Sequence, residues 1–249
     1  AAVIRLDGDT MRRPAQAEAL WRRVERGEWD IIVGTQLLLR RWPFPTMGLV
    51  GIVQADAGLS VPNFRSAERT YHTLLDAISL ADPAEAGGQV IVQTHLSSHH
   101  AIQAVAQNDE SIFLTEELSH RTALGYPPAV YLIALLVSGA NEKMIRDAAT
   151  AWAARLTSCS SPAVAGQTAT AKAPSTIQSI GLPDRLTVLG PIPSPVPRLR
   201  GRYRWQILVK SSEREAGLEA VRMTVKEMER TYQHRAIKFD VDVDPIETW

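Results

Sequence analysis

The sequence contains little of what usually identifies a protein class at first inspection. Among its 249 residues there is a single cysteine, Cys159, which excludes an internal disulfide and argues against a cysteine-ligated zinc site. No apolar run reaches the roughly 20 residues that a membrane-spanning helix needs. Basic and acidic side chains number 27 each, so no overall positive charge draws the chain to nucleic acid or to a membrane. These absences favour a cytoplasmic globular protein without a membrane partner.

Two further kinds of site are missing from the sequence. No glycine-rich loop ends in Lys-Ser or Lys-Thr, the motif that cradles the β- and γ-phosphates of a nucleotide. The histidines at positions 95, 99 and 100 cluster, but they lack cysteine partners and the spacing of a zinc motif. We therefore predict no metal site and no catalytic residue.

The sequence divides into two parts. Their patterns predict an α/β fold followed by a smaller α+β domain. Residues 1–97 alternate β-branched runs such as DIIVGTQ, MGLVGIVQ and GGQVIVQTH with amphipathic helical segments. That alternation indicates a parallel sheet with helices on both faces. Residues 98–249 begin with a helical stretch, residues 101–124, and continue as strand, helix, strand, strand, helix, strand. A flexible insertion is predicted at about 158–183, which is rich in Ser, Ala, Thr and Pro.

The stretch RLRGRYRWQILVK places arginine at every second position. If residues 198–210 form one strand after a proline-rich turn, four guanidinium groups share one face: Arg198, Arg200, Arg202 and Arg204. Five cations and no carboxylate lie between residues 196 and 210, a local patch able to bind phosphates. Tyr203 and Trp205 interleave with the arginines and offer rings on which unpaired bases can stack. The pattern predicts a DNA-binding surface that is selective for structure rather than for sequence.

Other interpretations of this stretch remain open at the level of sequence. A charged edge strand also protects a sheet against aggregation. Trp205 lies on the strand face opposite the arginines, where core packing is as good an explanation. Three aspartates alternate along the final strand, DVDVD, and could be an internal counter-charge to the arginines. A calcium or magnesium site at these aspartates would need further ligands that converge from elsewhere in the chain.

Seven strings together resemble the carboxyl-terminal portion of the PriA family, the primosomal protein N′ replication-restart helicases of bacteria. They are RLDGDT, GEWDIIVGTQ, FPTMGLVGIVQADAGLSVPNFRSAERTY, GGQVIVQT, EELSHRTALGYPP, VLGPIPSPVPRLRGRYRWQILVK and DVDPIE. They occur in the family's order and cover the chain nearly end to end. The resemblance implies that residues 1–97 are a partial, degenerate second helicase lobe of P-loop NTPase-like fold. It implies that residues 98–249 are a DNA-binding carboxyl-terminal domain.

The resemblance also implies roles for particular residues. Six match positions that the family links to nucleotide: Gly34, Thr35, Gln36, Asp56, Arg65 and Arg69. Arg65 and Arg69 could instead form, with Glu68, an internal salt-bridge set that positions a helix. Arg214 matches by offset an arginine that helps to bind the acidic tail of single-stranded-DNA-binding protein. A solvated arginine at a helix start is an equally good interpretation of Arg214.

Partners and cofactors follow from the same resemblance. The expected partners are forked and single-stranded DNA, single-stranded-DNA-binding protein and other primosome proteins, in the bacterial cytoplasm at the nucleoid. The family uses ATP with magnesium, and zinc, through regions that match no part of this sequence. No cofactor is therefore predicted for these 249 residues.

One departure from the family pattern bears on enzymatic activity. Leu80 and Pro83 stand where the family helix carries two arginines that reach the ATP phosphates. Such an arginine is worth about three to five powers of ten in rate in related systems. We expect DNA binding without ATP hydrolysis by this chain alone. The alternatives are the second half of an ATP-dependent 3′–5′ DNA helicase that needs the missing first lobe, and a degenerate protein-interaction module of the primosome.

Overall fold

The computed structural model describes residues 1–40, 46–160 and 186–246. The chain divides into an amino-terminal unit, residues 1–117, and a carboxyl-terminal unit, residues 118–249. The sequence alone predicts this boundary at 97, and the structure has it at 117. It lies later because Ile102 and Phe113 are buried in one apolar cluster with Leu74 of the amino-terminal unit. Most of the predicted flexible insertion lies outside the described residues, and none of the described helices is long and apolar enough to cross a membrane.

The amino-terminal unit contains short parallel strands and amphipathic helices. In chain order they are β1 (Val3–Leu6), α1 (Pro14–Glu25), β2 (Ile31–Gly34), β3 (Leu49–Ile52), α2 (Ser66–Ile78), β4 (Gln89–Val92), α3 (His100–Gln107) and α4 (Glu110–Leu124), which continues into the carboxyl-terminal unit. The predicted strands are present and their pairing is parallel. However, the described strands form two separate pairs, β1–β2 and β3–β4, rather than one sheet.

The helical stretch predicted at 101–124 is helical in the structure but is divided into two helices, α3 and α4. Asn108 ends α3 in the left-handed conformation, with φ of 51°, which asparagine tolerates better than most residues. Asp109 then starts α4, since its carboxylate accepts hydrogen bonds from the Ser111 amide at 2.9 Å and the Ser111 hydroxyl at 2.6 Å. An acceptor of this kind satisfies amides that have no partner in the first turn of a helix.

The carboxyl-terminal unit is an antiparallel sheet with two long helices. Its elements are β5 (Tyr131–Gly139), α5 (Glu142–Ser160), β6 (Leu186–Leu199), β7 (Arg202–Ser211), α6 (Arg214–Tyr232) and β8 (Ile237–Val243). The strand order is β6-β7-β5-β8, and the neighbouring strands are antiparallel. This β-α-β-β-α-β order is that of ferredoxin-like folds. It confirms the α+β pattern predicted from the sequence.

Both helices pack on one face of this sheet, here called the helix-covered face. Alternate residues of the central strands, such as Leu135 and Ile207, are fully buried there with Trp152 of α5 and Met228 of α6. The Trp152 indole donates a hydrogen bond of 3.0 Å to the Thr224 hydroxyl of α6. Because side chains alternate along a strand, the residues between these point to the opposite face.

The chain reverses direction within the arginine stretch. The prediction that residues 198–210 form one strand after a proline-rich turn is therefore wrong. Arg200 and Gly201 form the two-residue turn of the β6–β7 hairpin, with φ of 50° and 79°. Two positive φ values are the requirement of a type I′ hairpin turn, and glycine meets it at least cost.

The prolines before this turn lie inside β6 instead of ending it. β6 is an edge strand, and its pairing with β7 shifts register twice, between Leu189 and Ile192 and between Pro193 and Arg198. Proline cannot donate to a sheet ladder, so it is tolerated where an amide would face solvent or lie at a bulge. The proline-rich run is therefore compatible with a strand only because this strand lies at an edge.

Candidate nucleic-acid interface

The hairpin arginines, Arg198, Arg200, Arg202 and Arg204, surround the tip of the β6–β7 hairpin and do not form a row on one face. Arg198 ends β6 opposite Tyr203 of β7, and Arg200 lies in the turn. The side chains at 202 and 204 point to the face opposite the helices, because the alternate residues of β7 are buried under the helices. The prediction that the four share a strand face is wrong, since it assumed one uninterrupted strand.

The contacts at the tip leave its cations accessible. Arg198, Arg200 and Arg202 are exposed. The Arg198 guanidinium carbon lies 5.1 Å from the Tyr203 ring centroid, within the range of a cation–π contact. One Nη of Arg202 donates a 3.0 Å hydrogen bond to the Ser138 carbonyl of β5. A guanidinium has five donors, so this single bond leaves Arg202 able to contact phosphate.

The two aromatic residues differ in their surroundings. Trp205 is partly buried against the apolar core of the helix-covered face, as the core-packing interpretation of the sequence expected. Tyr203 is also partly buried, but it lies beside Arg198 at the hairpin tip. Of the two rings, Tyr203 is therefore the better placed to meet an unpaired base.

Lys210, the fifth cation of the sequence patch, is removed from the surface. Only 7% of it is exposed. Its Nζ donates a 2.8 Å hydrogen bond to the Leu124 carbonyl and lies 3.7 Å from the Tyr126 ring centroid. Burial lowers the pKa of its ammonium group. The sequence showed a charge at this position, but only the packing shows that Lys210 attaches the end of α4 to the sheet.

The acidic end of the chain is separated from the hairpin arginines. β5 lies between β7 and β8, so the aspartates of β8 are not on a strand next to the hairpin arginines. Asp240 forms an ion pair with Lys238, and Asp244 lies 3.4 Å from Arg214. Both side chains of the Arg214–Asp244 pair are about half exposed, so the pair contributes little to stability.

The nucleotide-linked candidates lie in the amino-terminal unit and are not all together. Gly34, Thr35 and Gln36 follow one another at the carboxyl end of β2 and line a cavity of about 690 Å³. Asp56 lies just beyond β3, and its carboxylate accepts a 3.1 Å bond from the His95 amide. That bond, with one from the Thr94 hydroxyl, lowers the pKa of Asp56. Asp56 thus holds the segment after β4 to the end of β3.

The arginines near α2 make local contacts. Arg65 precedes the helix and lies 3.7 Å from Glu68, one turn further on. Its guanidinium carbon lies 5.3 Å from the Phe64 ring centroid, and its Nε is buried without a hydrogen-bond partner among the described residues. Arg69 belongs to the second turn of the same helix. The Arg65–Glu68 pair supports the helix-positioning interpretation of these charges.

Leu80, which the resemblance aligns with an arginine of the family, lies in apolar surroundings. α2 ends at Ile78, and Leu80 is 7% exposed in an apolar cluster with Ile4 and Trp21. An arginine there would bury an unpaired charge, which is costly. Leucine at position 80 therefore fits this core, and the position is not an exposed one.

Comparison with known proteins identifies the family of the chain. Residues 122–246, half of the chain, match the family model described as the primosomal protein N C-terminal domain. The chain is 34% identical to the replication restart protein PriA of Synechocystis sp. and 31% identical to that of Bacillus subtilis, in each case over 98% of its length. The protein of the same name from Thermotoga maritima is 28% identical over the same share.

These relatives are much longer than the chain. It spans 26% of the Synechocystis protein and 28% of the Bacillus subtilis and Thermotoga maritima proteins. The domain that the family model describes corresponds to the carboxyl-terminal unit and includes the whole β6–β7 hairpin. The chain therefore belongs to the PriA family of replication restart proteins and contains the carboxyl-terminal domain of that family.

Proposed function

We propose that this chain is a DNA-binding portion of a replication restart protein, which recognises forked or single-stranded DNA through the β6–β7 hairpin and acts at the bacterial nucleoid. The observation that carries the proposal is the hairpin tip, where Arg198, Arg200 and Arg202 are exposed and the Arg198 guanidinium lies against the Tyr203 ring. Guanidinium groups contact phosphates in any sequence, and an aromatic ring offers a stacking surface to an unpaired base. No feature of the tip provides a code for reading base edges.

The test is fluorescence anisotropy of the 249-residue chain with a forked oligonucleotide, a single strand and a plain duplex. We expect binding to the fork and the single strand that weakens steeply as salt is raised, because phosphate contacts release counterions. Absence of binding to all three DNA species at low salt would exclude the proposal. It would favour the alternative of a protein-interaction module.

Replacing Tyr203 by alanine should separate unpaired from paired DNA. Base stacking on an aromatic side chain is worth about 1–3 kcal/mol per base, so affinity for single-stranded and forked DNA should fall roughly 5- to 150-fold. Affinity for plain duplex should change much less, because its bases are already stacked. Tyr203→Phe is the matched control and should retain binding. An equal loss on duplex and single strand would show that the ring only positions Arg198.

For the amino-terminal unit, we propose a partial P-loop NTPase-like lobe that does not hydrolyse ATP by itself. The support is the lack of a phosphate-binding loop and the burial of Leu80 where the family has an arginine. We expect ATP turnover by the purified chain, with and without DNA, to equal that of a buffer blank. DNA-stimulated turnover that co-purifies with the chain through several columns would contradict this prediction and would favour the helicase alternative.

Arg214 is proposed as only a partial site for the acidic tail of single-stranded-DNA-binding protein. Its guanidinium already lies 3.4 Å from the Asp244 carboxylate, which competes with an acidic ligand. We expect an acidic tail peptide to bind more weakly than micromolar, and Asp244→Asn to strengthen its binding several-fold at low salt. Micromolar or tighter binding that Arg214→Ala abolishes would show that Arg214 is a complete site.

A further inference from the structure

The carboxyl-terminal sheet has a second face, opposite the helix-covered face, and a cation lies there on each side of β5. Arg204 of β7 is in register with Ser138 of β5, which is in register with Lys238 of β8. Residues directly opposite each other on neighbouring strands share a face, so all three belong to the second face. Because neighbouring strands lie about 4.8 Å apart, the backbones at Arg204 and Lys238 are about 10 Å apart.

The residue between these two cations is small. Ser138 is buried, with 7% of the residue exposed, and its carbonyl accepts the hydrogen bond from Arg202 at the base of the hairpin. Lys238 is exposed on β8, which is an edge strand. The row therefore connects the hairpin arginines to the far edge of the sheet, and no large side chain of β5 separates the two cations.

A second pair of an arginine and an aromatic ring lies in the turn between α6 and β8. The Arg235 guanidinium carbon is 5.6 Å from the Tyr232 ring centroid, much as that of Arg198 is 5.1 Å from the Tyr203 ring centroid. Both distances fit a cation–π contact. The Tyr232 ring is also held by Phe239, at 5.9 Å between centroids, whereas Arg235 is exposed. The turn thus repeats the combination of groups found at the hairpin tip.

This turn is held against the end of β5. Gly139, the last residue of β5, is in register with Tyr203 on one side and with Ile237 on the other. A Cβ atom at position 139 would lie 2.9 Å from the Ala236 carbonyl oxygen, so the absence of a side chain permits this close approach. The two arginine–tyrosine pairs therefore flank β5 at the same end of the sheet.

We propose that Arg235 and Lys238 form a second contact with unpaired DNA, so that a single strand bound at the hairpin tip crosses the end of β5 and reaches the α6–β8 turn. The inference rests on the proposed DNA binding by the hairpin and adds the path of the DNA, which runs across the β-strands. Both cations can contact phosphates, and a guanidinium can also make cation–π contacts with an unpaired base. The charge of this end of the sheet is therefore complementary to a nucleic-acid backbone.

One carboxylate competes for this contact and provides a test by gain of affinity. Asp240 forms an ion pair with Lys238, whose side chain is 66% exposed. Exposed pairs are weak, about 0.2–1 kcal/mol, so Asp240→Asn should raise affinity for a single strand roughly 1.5- to 5-fold at low salt. Asp147→Asn, which removes an exposed carboxylate of α5 beside Arg146, is the control and should leave affinity unchanged. An equal gain in the control would mean that overall charge explains the effect, and would overturn the inference.

The loss-of-affinity test is the variant Arg235→Gln/Lys238→Gln of the full 249-residue chain, in salt titrations of anisotropy with a single-stranded oligonucleotide of about 12 nucleotides. If each cation contacts one phosphate, affinity should fall roughly 5- to 25-fold near 0.1 M salt, and the plot of log affinity against log salt should flatten by about 1.4. The matched control, Arg222→Gln/Lys226→Gln, removes one arginine and one lysine that are exposed on α6 and should bind as the wild type does.

The outcomes separate this inference from the proposed function. If the Arg235→Gln/Lys238→Gln chain is folded and binds as the wild type does, while Arg200→Asn/Arg202→Gln loses affinity, the hairpin binds DNA and the second contact does not exist. If the Arg222→Gln/Lys226→Gln control loses affinity equally, overall charge explains the loss, which also overturns the inference. Absence of DNA binding by the wild-type chain would overturn both the inference and the proposed function.

Discussion

Replacing Arg200 by asparagine and Arg202 by glutamine should weaken DNA binding roughly 10- to 100-fold near 0.1 M salt, if each arginine contacts one phosphate. The plot of log affinity against log salt should flatten by about 1.8 on duplex and about 1.4 on single strands. Asparagine tolerates the positive φ of Arg200, so the hairpin turn survives the change. Salt titrations of anisotropy for the wild type and the double variant measure both effects.

The control removes the same charge elsewhere in the same unit. Arg222 and Arg230 are exposed on α6, and the variant Arg222→Gln/Arg230→Gln also lowers the net charge by two. Its salt dependence should match that of the wild type. If the control lost affinity as strongly as the hairpin variant, overall charge or the α6 surface would explain the binding. A folded hairpin variant with unchanged affinity would remove the hairpin from the interface.

Trp152→Ala should destabilise the carboxyl-terminal unit by about 3–5 kcal/mol, the usual cost of truncating a buried aromatic side chain. Trp152 is fully buried between α5, α6 and the sheet, and its loss leaves a cavity that this packing cannot close. Urea unfolding followed by far-ultraviolet circular dichroism measures the change. The loss should appear as a lower midpoint for the transition of this unit.

Two matched variants make this result specific. Trp152→Phe keeps most of the ring but loses the hydrogen bond to Thr224, so it should cost clearly less than alanine. Arg146→Ala, at an exposed position of the same helix, should change stability by no more than about 0.5 kcal/mol. A Trp152→Ala chain as stable as the wild type would mean that the helix-covered face is not the core that holds the hairpin strands.

Local sequence patterns predicted most elements because they depend on neighbouring residues. The β-branched runs became β2, β3 and β4, and the amphipathic segments became α1, α2, α5 and α6. The sequence did not predict the break at Asn108, because the helical spacing of apolar residues continues across it. The helix ends there because Asn108 alone adopts the left-handed conformation. The turn at Arg200 was missed for a related reason: the alternation of arginines continues through a reversal of the chain.

The sequence predicted which residues of the candidate site lie near one another, but it did not predict how they are arranged on the hairpin. The arginines and Tyr203 do lie together in space, because residues close in sequence remain close on either side of a two-residue turn. Lys210 does not belong with them, since the loop after α4 covers it. The spacing of residues in the sequence could not show that Lys210 is buried, because its burial depends on which part of the chain packs over that face of the sheet.

The sequence by itself determined the two-part organisation, the α/β and α+β patterns and the family to which the chain belongs. Periodicity, turn residues and motif order are all properties of short stretches. The tertiary structure alone decided where the hairpin turns and which of its cations are exposed. These features depend on contacts between residues far apart in the chain: β6 pairs with β7, and the loop after α4 covers Lys210.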